Sequence, residues 1–418
     1  MNQEKSPKEL HHFSALATIA RLEEKSVQLP REFQGKTGTG HCDIPIPDQI
    51  TTANSLNEIL VFARKTNATD VHLCVYNPVI FRKYGSLIGQ SSDKLSPERL
   101  EKMMTDVLSS QQLSEFNQHG DLEFVYTLPG AGRFRVTLMK QRLGWDFTAR
   151  LIPAEIRSFK DSGMPQACAQ LTKWAQGLIL ITGPASCGKT STLSTLVEMI
   201  NQTRSCHIIT IEDPIEIVYT PKMCQITQRE IRMHSISQAT SLKAALREDP
   251  DIIVVSELRD LDSIQLAVTA AETGHLVLGT MNTLNASQTI SRVIDSFPPE
   301  EQSVIRNMVS ESLRGVICQQ LIPTKDESGL AVAYEVLITN SAISNLIREG
   351  KFSQILNSIT TGRNAGMVLL DDSLQELVNK NIISGNEAYY RATNRNIFAQ
   401  HLSTGNTASA NSKGESVG

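Results

Sequence analysis

The central part of the chain alternates short apolar runs with segments of helical periodicity. The apolar runs have the length of buried strands and lie at 178–182, 207–211, 252–255 and 276–280. After the first run, Leu193, Leu196 and Ile200 recur at the three- and four-residue spacing of a helix. Such alternation is typical of a mostly parallel sheet with helices on both faces, so we expect an α/β domain over residues 165–400.

The pattern changes after about residue 300, where helical periodicity predominates. Predicted helices cover 302–320, 342–349 and 374–380. We therefore expect this domain to end in a mainly helical part. The final stretch, 401–418, is rich in Ser, Gly and Asn and poor in large apolar side chains, and this composition predicts a disordered tail.

The region before residue 154 has a different organisation. Ser55 precedes an apolar pattern of helical spacing, and 133–138 alternates polar and apolar residues as a half-buried strand does. Short strands are predicted at 71–73 and 79–82, and a helical stretch at 97–116. Together these features predict a small α+β domain over residues 55–153.

Glycine and proline mark the borders of this small domain. The glycine-rich stretch 35–40 is followed by Pro45 and Pro47, which predicts that 1–54 is an N-terminal extension, partly disordered. Residues 154–164 are expected to form the interdomain linker. A chain of 418 residues is long enough for such a division into two or three domains.

Composition narrows the class of protein. The residues are 40% hydrophobic and 20% charged, and the net charge is −4, so no broad electrostatic attraction to nucleic acid is expected. No apolar run approaches the roughly 18 residues of a membrane-spanning helix. The seven cysteines include no C-x-x-C pair, which favours reduced thiols in a cytoplasmic protein.

Residues 183–190 form a complete G-x-x-x-x-G-K-T phosphate-binding loop between the first apolar run and the following helix. In this context backbone N–H groups surround the phosphates of a nucleoside triphosphate, and the helix N-terminus adds positive potential. Lys189 can reach the β- and γ-phosphates, and the Thr190 hydroxyl can hold Mg²⁺. The predicted nucleotide-binding residues are Gly183, Pro184, Ala185, Ser186, Cys187, Gly188, Lys189, Thr190 and Ser191.

Acidic residues follow two of the predicted strands. The run at 208–211 leads to Glu212, and the run at 252–255 leads through Ser256 to Glu257. Parallel strands end at the edge of the sheet where ligands bind, so these carboxylates are expected beside the phosphates. We assign Glu257 to polarising the attacking water, and Glu212 to assisting it or to holding Mg²⁺ through water. Ser256 stands where an acid is common, so Mg²⁺ would rely mainly on Thr190, phosphate oxygens and water.

Cys187 lies inside the loop, beside the N-terminus of the predicted helix. The pKa of a thiol tends to fall in this position, and a lowered pKa would permit redox control of nucleotide binding. The alternative interpretation, which we favour, is that Cys187 is a small residue that the loop tolerates.

The motifs together resemble the type II/IV secretion ATPase superfamily, which includes the GspE, PilT and VirB11 groups. The resemblance is strongest to the PilT-type ATPases of type IV pilus retraction and covers about 55–390. The segments that carry it are 67–73, 132–136, 183–190, 210–216, 246–251, 257–260, 270–275 and 342–349. Such a series in this order is highly specific.

The resemblance implies a RecA-like P-loop NTPase core and a small, PAS-like N-terminal domain. ATP and Mg²⁺ would bind between the two domains, with Arg133, Arg135 and Arg150 completing the phosphate site and Arg142 as a further candidate. It implies a homo-hexameric ATPase that powers pilus retraction and twitching motility. The partners would be an inner-membrane pilus platform protein and a related retraction ATPase, with no direct nucleic-acid contact, at the cytoplasmic side of the inner membrane.

Two departures from the family pattern affect this interpretation. Asn282 occupies the place of a nucleotide-sensing histidine, and an asparagine can donate a hydrogen bond to phosphate but cannot carry a charge. Ser344 stands where the retraction motif usually has arginine. These departures suggest a divergent paralogue, and two alternatives stay open: a weakly hydrolysing regulatory subunit, and an ATPase energising type II/IV secretion or conjugative transfer.

Overall fold

The computed structural model describes residues 55–401, apart from residue 327. The predicted N-terminal extension, 1–54, and nearly all of the predicted tail, 401–418, lie outside these residues. Within them the chain forms two sheets, one of six strands and one of seven. Each sheet has its own set of helices.

The six-stranded sheet is antiparallel, with strand order β3-β2-β1-β6-β5-β4. Its strands are β1 (Asp70–Cys74), β2 (Ile80–Lys83), β3 (Ser86–Gly89), β4 (Asp121–Leu128), β5 (Gly132–Gln141) and β6 (Gly144–Leu151). The accompanying helices are Leu56–Lys65, Pro97–Thr105 and Ser110–His119. Strands and helices therefore share this region as predicted, and its assignment to the PAS-like class stays a prediction.

Local sequence explains where these helices begin. Ser55 accepts from the backbone N–H of Glu58 while the Glu58 side chain accepts from the backbone of Ser55, a reciprocal capping box. The predicted helical stretch at 97–116 is two helices, because Ser109 caps a second helix only a few residues after the first ends.

The seven-stranded sheet has the order β13-β12-β7-β11-β10-β8-β9, and only β13 runs antiparallel to its neighbour. Its strands are β7 (Gly177–Thr182), β8 (His207–Glu212), β9 (Gln225–Glu230), β10 (Ile252–Val255), β11 (Leu276–Met281), β12 (Leu313–Pro323) and β13 (Leu330–Ile338). Every residue of β7, β10 and β11 is buried, so helices cover both faces. The α/β fold with a parallel core is confirmed.

The helices of this second region follow the strands closely in sequence. Their bounds are Gln166–Leu171, Lys189–Thr203, Gln238–Ala245, Leu261–Glu272, Ala286–Asp295, Gln302–Ser312, Ser341–Arg348, Ile355–Thr361, Leu370–Asn379 and Gly385–Arg391. Short 3₁₀ turns occupy Phe352–Gln354, Arg363–Ala365 and Arg395–His401. The predicted helices at 342–349 and 374–380 are confirmed within a few residues at their ends.

The expectation of one helix over 302–320 is wrong beyond residue 312. The helix ends at Ser312, and the chain continues as β12, which pairs with β7. The apolar residues of β12 are buried on both faces, so they form a continuous run that periodicity alone cannot distinguish from a buried helix. The strands β9 and β13 were also not predicted from the sequence.

Candidate nucleotide-binding site

The phosphate loop joins the end of β7 to the helix Lys189–Thr203. Gly183, with φ of +149°, has the space of glycine only, because a Cβ there would lie 2.3 Å from the backbone oxygen of Gln319. Ser186 and Gly188 also have positive φ, at 62° and 91°. The chain therefore makes a tight turn between β7 and the helix, and the first turn of the helix lies next to the loop.

Lys189 holds its ammonium group inside the loop. The Nζ atom lies 2.9 Å from the backbone oxygens of both Gly183 and Pro184. Burial lowers the pKa of Lys189, and the nearby carboxylate of Glu257 opposes this effect. A cation, a helix N-terminus and a curled backbone in one place fit a phosphate group. Thr190, which follows at the first turn of the helix, has an exposed side chain.

Gln319 supports the phosphate loop through hydrogen bonds of its side chain. No pattern in the sequence predicts this function. Gln319 lies on β12 and is 2% exposed. Its Nε2 donates to the backbone oxygen of Cys187 at 2.7 Å, and its Oε1 accepts from the hydroxyl of Thr192 at 2.6 Å. One side chain thus links the loop to the helix. Knowledge that 313–323 is a strand beside β7 would have revealed it.

Glu257 lies just beyond the end of β10, as predicted, with two hydrogen-bond donors. Its Oε1 accepts from Asn282 Nδ2 at 2.5 Å, and its Oε2 accepts from Arg259 at 2.7 Å. Asn282 follows the end of β11, the neighbouring parallel strand. The phosphate loop, Asn282 and Glu257 follow β7, β11 and β10, which are neighbouring parallel strands, so they lie at the same edge of the sheet. Lys189, Glu257 and Asn282 are therefore candidates for one site.

Glu212, the last residue of β8, is held by neutral donors. Its Oε1 accepts from the Thr210 hydroxyl at 2.6 Å and from Gln228 at 3.0 Å. Burial raises the pKa of Glu212 from its ordinary value of 4.5 to about 7, against the effect of those hydrogen bonds. Its protonation therefore changes near neutral pH, which the sequence alone does not reveal.

The candidate arginines of the antiparallel sheet have different partners. Arg133 donates to the backbone oxygens of Ile215 and Glu216, at 2.8 and 2.6 Å, and so bridges to the segment that follows β8. Arg135 pairs with the Glu216 carboxylate at 3.0 Å and with an acid on β4. Arg150 instead pairs with a buried aspartate of β1, Asp70, at 2.9 Å.

Other predicted residues are placed as follows. Pro184, Ala185 and Ser186 are exposed at the outer side of the loop, and Ser191 is half-buried at the start of the helix. Arg142 lies in the turn between β5 and β6, whereas Arg133 lies at the other end of β5.

The expected lowering of the Cys187 pKa is wrong. Cys187 is 3% exposed, and burial raises the pKa of its thiol although Lys189 acts in the opposite direction. The structure therefore favours the interpretation of Cys187 as a small residue packed within the loop.

The residues of the site fit a magnesium ion only in the indirect manner expected from the sequence. Within 55–401, no group of three or more His, Cys, Asp and Glu side chains is arranged to hold a metal ion. The exposed hydroxyl of Thr190 stands at the helix N-terminus, whereas the carboxylates of Glu212 and Glu257 are already hydrogen-bonded. Most ligands of such an ion would come from phosphate and water.

A parallel sheet with a phosphate loop after one strand and acids after two others defines a P-loop nucleotide-binding protein. More specifically, the chain belongs to the type II/IV secretion system protein family, whose model matches residues 47–412. The family resemblance inferred from the motifs is thus confirmed.

Individual relatives agree with this assignment. The chain is 40% identical over 337 residues to the type IV pilus retraction ATPase PilT of Pseudomonas aeruginosa, covering 81% of this chain and 98% of that protein. It is 40% identical over 330 residues to a twitching motility protein of Neisseria gonorrhoeae, covering 79% and 88% of the two. A solved structure of the pilus retraction motor PilT with bound ADP matches at a TM-score of 0.73 and 38% identity, covering 82% of this chain and 98% of that chain.

None of the helices between residues 55 and 401 is both long and apolar enough to cross a membrane.

Proposed function

We propose that this protein is an ATP-hydrolysing motor of the PilT type that powers type IV pilus retraction and twitching motility. The single observation that supports this most is the phosphate loop with Lys189 inside it and Glu257 nearby, in a chain similar throughout the described region to a retraction motor. The ADP in that related structure supports an adenine nucleotide as the ligand.

The chemistry follows from the positions of the side chains. Lys189 exchanges its two carbonyl partners for oxygens of the β- and γ-phosphates, while the loop amides surround them. Glu257 accepts a hydrogen bond from the attacking water and orients it toward the γ-phosphorus. Asn282 fixes the orientation of that carboxylate. Magnesium bound at Thr190 would neutralise charge on the phosphate oxygens.

Arg133 and Arg135 connect this chemistry to movement. From the antiparallel sheet, Arg133 contacts the backbone of residues 215 and 216, and Arg135 contacts the side chain of Glu216. Movement of that sheet toward the loop brings their guanidinium groups to the phosphates, where positive charge stabilises the transition state. Arg150, paired with Asp70, joins them only after that ion pair opens. Hydrolysis then depends on the position of one domain relative to the other.

The motor is expected to act as an assembly of several copies at a membrane. The working form is a homo-hexamer at the cytoplasmic face of the inner membrane, in contact with the pilus platform protein and with a related retraction ATPase. It makes no direct contact with nucleic acid, consistent with the net charge of −4. These statements rest on the family relationship.

One observation favours a second candidate, a regulatory subunit that binds ATP but hydrolyses it weakly. Asn282 occupies the position next to Glu257 and has no charge to contribute near pH 7. The intact phosphate loop and Glu257 favour the motor.

Phosphate release by the purified protein distinguishes these candidates. We expect the wild type to hydrolyse ATP, and Glu257→Gln to bind ATP with similar affinity while turnover falls about 100-fold or more. Wild-type turnover no higher than that of a Lys189→Ala variant would reject the motor in favour of the regulatory subunit.

A deletion strain tests the biological process. We expect surface pili to accumulate and twitching to stop, with recovery by the wild-type gene and no recovery by the gene for Glu257→Gln. Normal pili together with defective protein secretion or conjugation would instead support the other branch of the family.

A further inference from the structure

Glu335 is a buried carboxylate that the chemistry described above does not use. It lies on β13 and is 1% exposed. Its Oε1 accepts from the backbone N–H of Ala286 at 2.8 Å, while Oε2 has no hydrogen-bond partner among the residues that the structure describes. Burial raises the pKa of Glu335, and the charge of Asp371 adds to that rise. The hydrogen bond from Ala286 is the strongest opposing effect, and Cys318 and the backbone of Leu370 act in the same direction as Ala286. An acid in this position requires a specific partner, because burying an unpaired polar group is unfavourable.

The partner is the first residue of a helix. Ala286 begins the helix Ala286–Asp295, whose N-terminal N–H groups carry partial positive charge. The side chain of Asn285 accepts from the N–H of Gln288, so Glu335 and Asn285 hold two different N–H groups of the same helix end. Glu335 thereby fixes the start of this helix to β13.

The position of Glu335 in the sheet relates it to the nucleotide site. Glu335 pairs with Cys318 of β12, Cys318 pairs with Thr182 of β7, and Thr182 pairs with Met281 of β11. Thr182 is the residue before the phosphate loop, and Met281 is the residue before Asn282. Directly paired residues point to the same face of a sheet, so the four side chains form one row beneath the site.

Only four residues, 282–285, separate the end of β11 from the helix that Glu335 holds. One end of this segment is fixed by the sheet and the other by the bond from Ala286 to Glu335. Between them, the hydroxyl of Thr283 lies 2.7 Å from that of Thr289 on the helix. A segment this short transmits a displacement of the helix start directly to Asn282.

We propose that Glu335 is a positioning residue of the ATPase site, which holds the segment 282–285 so that Asn282 stays hydrogen-bonded to Glu257. This inference rests on the proposed ATPase function and adds a residue that bonds to the start of a helix rather than to the residues assigned to the chemistry. Glu335 acts through Asn282, and its effect on turnover therefore requires that Asn282 be present.

A double-mutant cycle on the full-length protein tests this dependence. We expect Glu335→Ala to lower kcat about tenfold and to change KM for ATP less than about twofold, which corresponds to the loss of one oriented hydrogen bond in the transition state. In an Asn282→Ala background the same substitution should change kcat less than about twofold. Glu335→Gln, which keeps an oxygen for the Ala286 N–H, should restore most of the activity.

A matched control separates positioning from general loss of stability. Leu337→Ala removes a fully buried side chain from the same face of β13 and keeps the hydrogen bond from the Ala286 N–H to Glu335, and it should lower the melting temperature while leaving kcat of the folded protein unchanged. If Glu335→Ala does not fold, Glu335→Asp takes its place, because it keeps the charge but withdraws it by one methylene. Equal factors in both Asn282 backgrounds, or unchanged kcat in a folded variant, would overturn the inference.

Failure of the proposed function gives a different result. Wild-type turnover no higher than that of Lys189→Ala would reject the ATPase activity. The positioning effect is then decided by hydrogen exchange, in which Glu335→Ala should accelerate exchange in 282–288 and Leu337→Ala should not. Unchanged exchange in 282–288 would reject the anchoring by Glu335 whatever the activity.

Discussion

Asn282 donates a hydrogen bond to Glu257 across the ends of two neighbouring parallel strands, with 2.5 Å between Nδ2 and Oε1. The residue that departs from the family pattern therefore orients the carboxylate assigned to polarising water. A neutral donor performs this task at any pH at which the protein is folded, whereas a histidine loses or gains a proton near neutrality.

Removal of this donor should slow the chemical step. We expect Asn282→Ala to lower kcat about ten- to hundredfold, because a hydrogen bond to a charged group contributes about 1.5–3 kcal/mol and 1.36 kcal/mol is tenfold in rate. Asn282→His should retain activity and acquire a pH dependence near neutrality in addition to that of the wild type. Steady-state phosphate release measured from pH 6 to 8.5 checks both expectations, and identical pH profiles would contradict the second.

The support of the phosphate loop by Gln319 gives a separate prediction. In Gln319→Leu, the backbone oxygen of Cys187 and the hydroxyl of Thr192 lose their partner in a buried place. The free energy of unfolding should fall by about 1–3 kcal/mol, and the affinity for ATP should weaken because the loop is less ordered. Thr192→Val is the matched control, since it removes only one of the two bonds, and its smaller effect on affinity is measured by calorimetry.

Arg133 should be needed for turnover more than for folding. We expect Arg133→Gln to lower kcat about 100-fold, because a transition-state arginine often contributes more than this, while the melting temperature changes little. Lys140→Gln, an exposed substitution on the same strand β5, should leave kcat unchanged. Retained turnover in Arg133→Gln would show that the bonds to residues 215 and 216 are structural only.

Glu212 should make stability depend on pH. Its pKa is about 7 in the folded protein and 4.5 ordinarily, so the folded state binds the proton more tightly. The stabilising effect of protonated Glu212 is therefore complete below pH 4.5 and is lost as the pH rises toward 7. Relative to Glu212→Gln, the wild type should lose stability across this window, as measured by urea unfolding at several pH values.

Glu198 provides a control of opposite sign. Burial acts to raise the pKa of Glu198, but the hydrogen bonds from Lys222, Gln202 and Asn201 and the charge of Lys222 together lower it. Its contribution to stability is therefore present at neutral pH and is lost as the pH falls below about 4.5. The same slope for Glu212→Gln and Glu198→Gln would contradict the assignment of the Glu212 pKa.

The sequence predicted those parts of the fold in which local pattern and tertiary environment agree. The runs that became β7, β8, β10 and β11 are apolar and short, and the phosphate loop has its own motif. The strand β9, Gln225–Glu230, is an edge strand with one apolar residue, Ile226, among polar ones, so its pairing with β8 decides its conformation. The apolar run of β12 has no turn signal before it, because the helix passes directly into the strand at Leu313.

Some residues of the site could be predicted from the sequence, and others could not. Residues with a motif or at a strand end, such as Lys189 and Glu257, could be proposed from the sequence alone. Gln319 and Glu335 were missed because their function depends on β12 lying beside β7 and β13 lying beside β12, although both strands are more than 100 residues along the chain from the phosphate loop. The pKa of Glu212 was missed because burial, which shifts it, is a property of the folded protein.

The bonds from Lys189 to the oxygens of Gly183 and Pro184 have a consequence for the end of each catalytic cycle. These oxygens compete with the spent nucleotide for the same ammonium group, and they are always at hand because they belong to the loop itself. When the product leaves, these two oxygens accept hydrogen bonds from the ammonium group in its place, and this assists product release. A motor that hydrolyses many nucleotides in succession benefits from a site that releases its product readily.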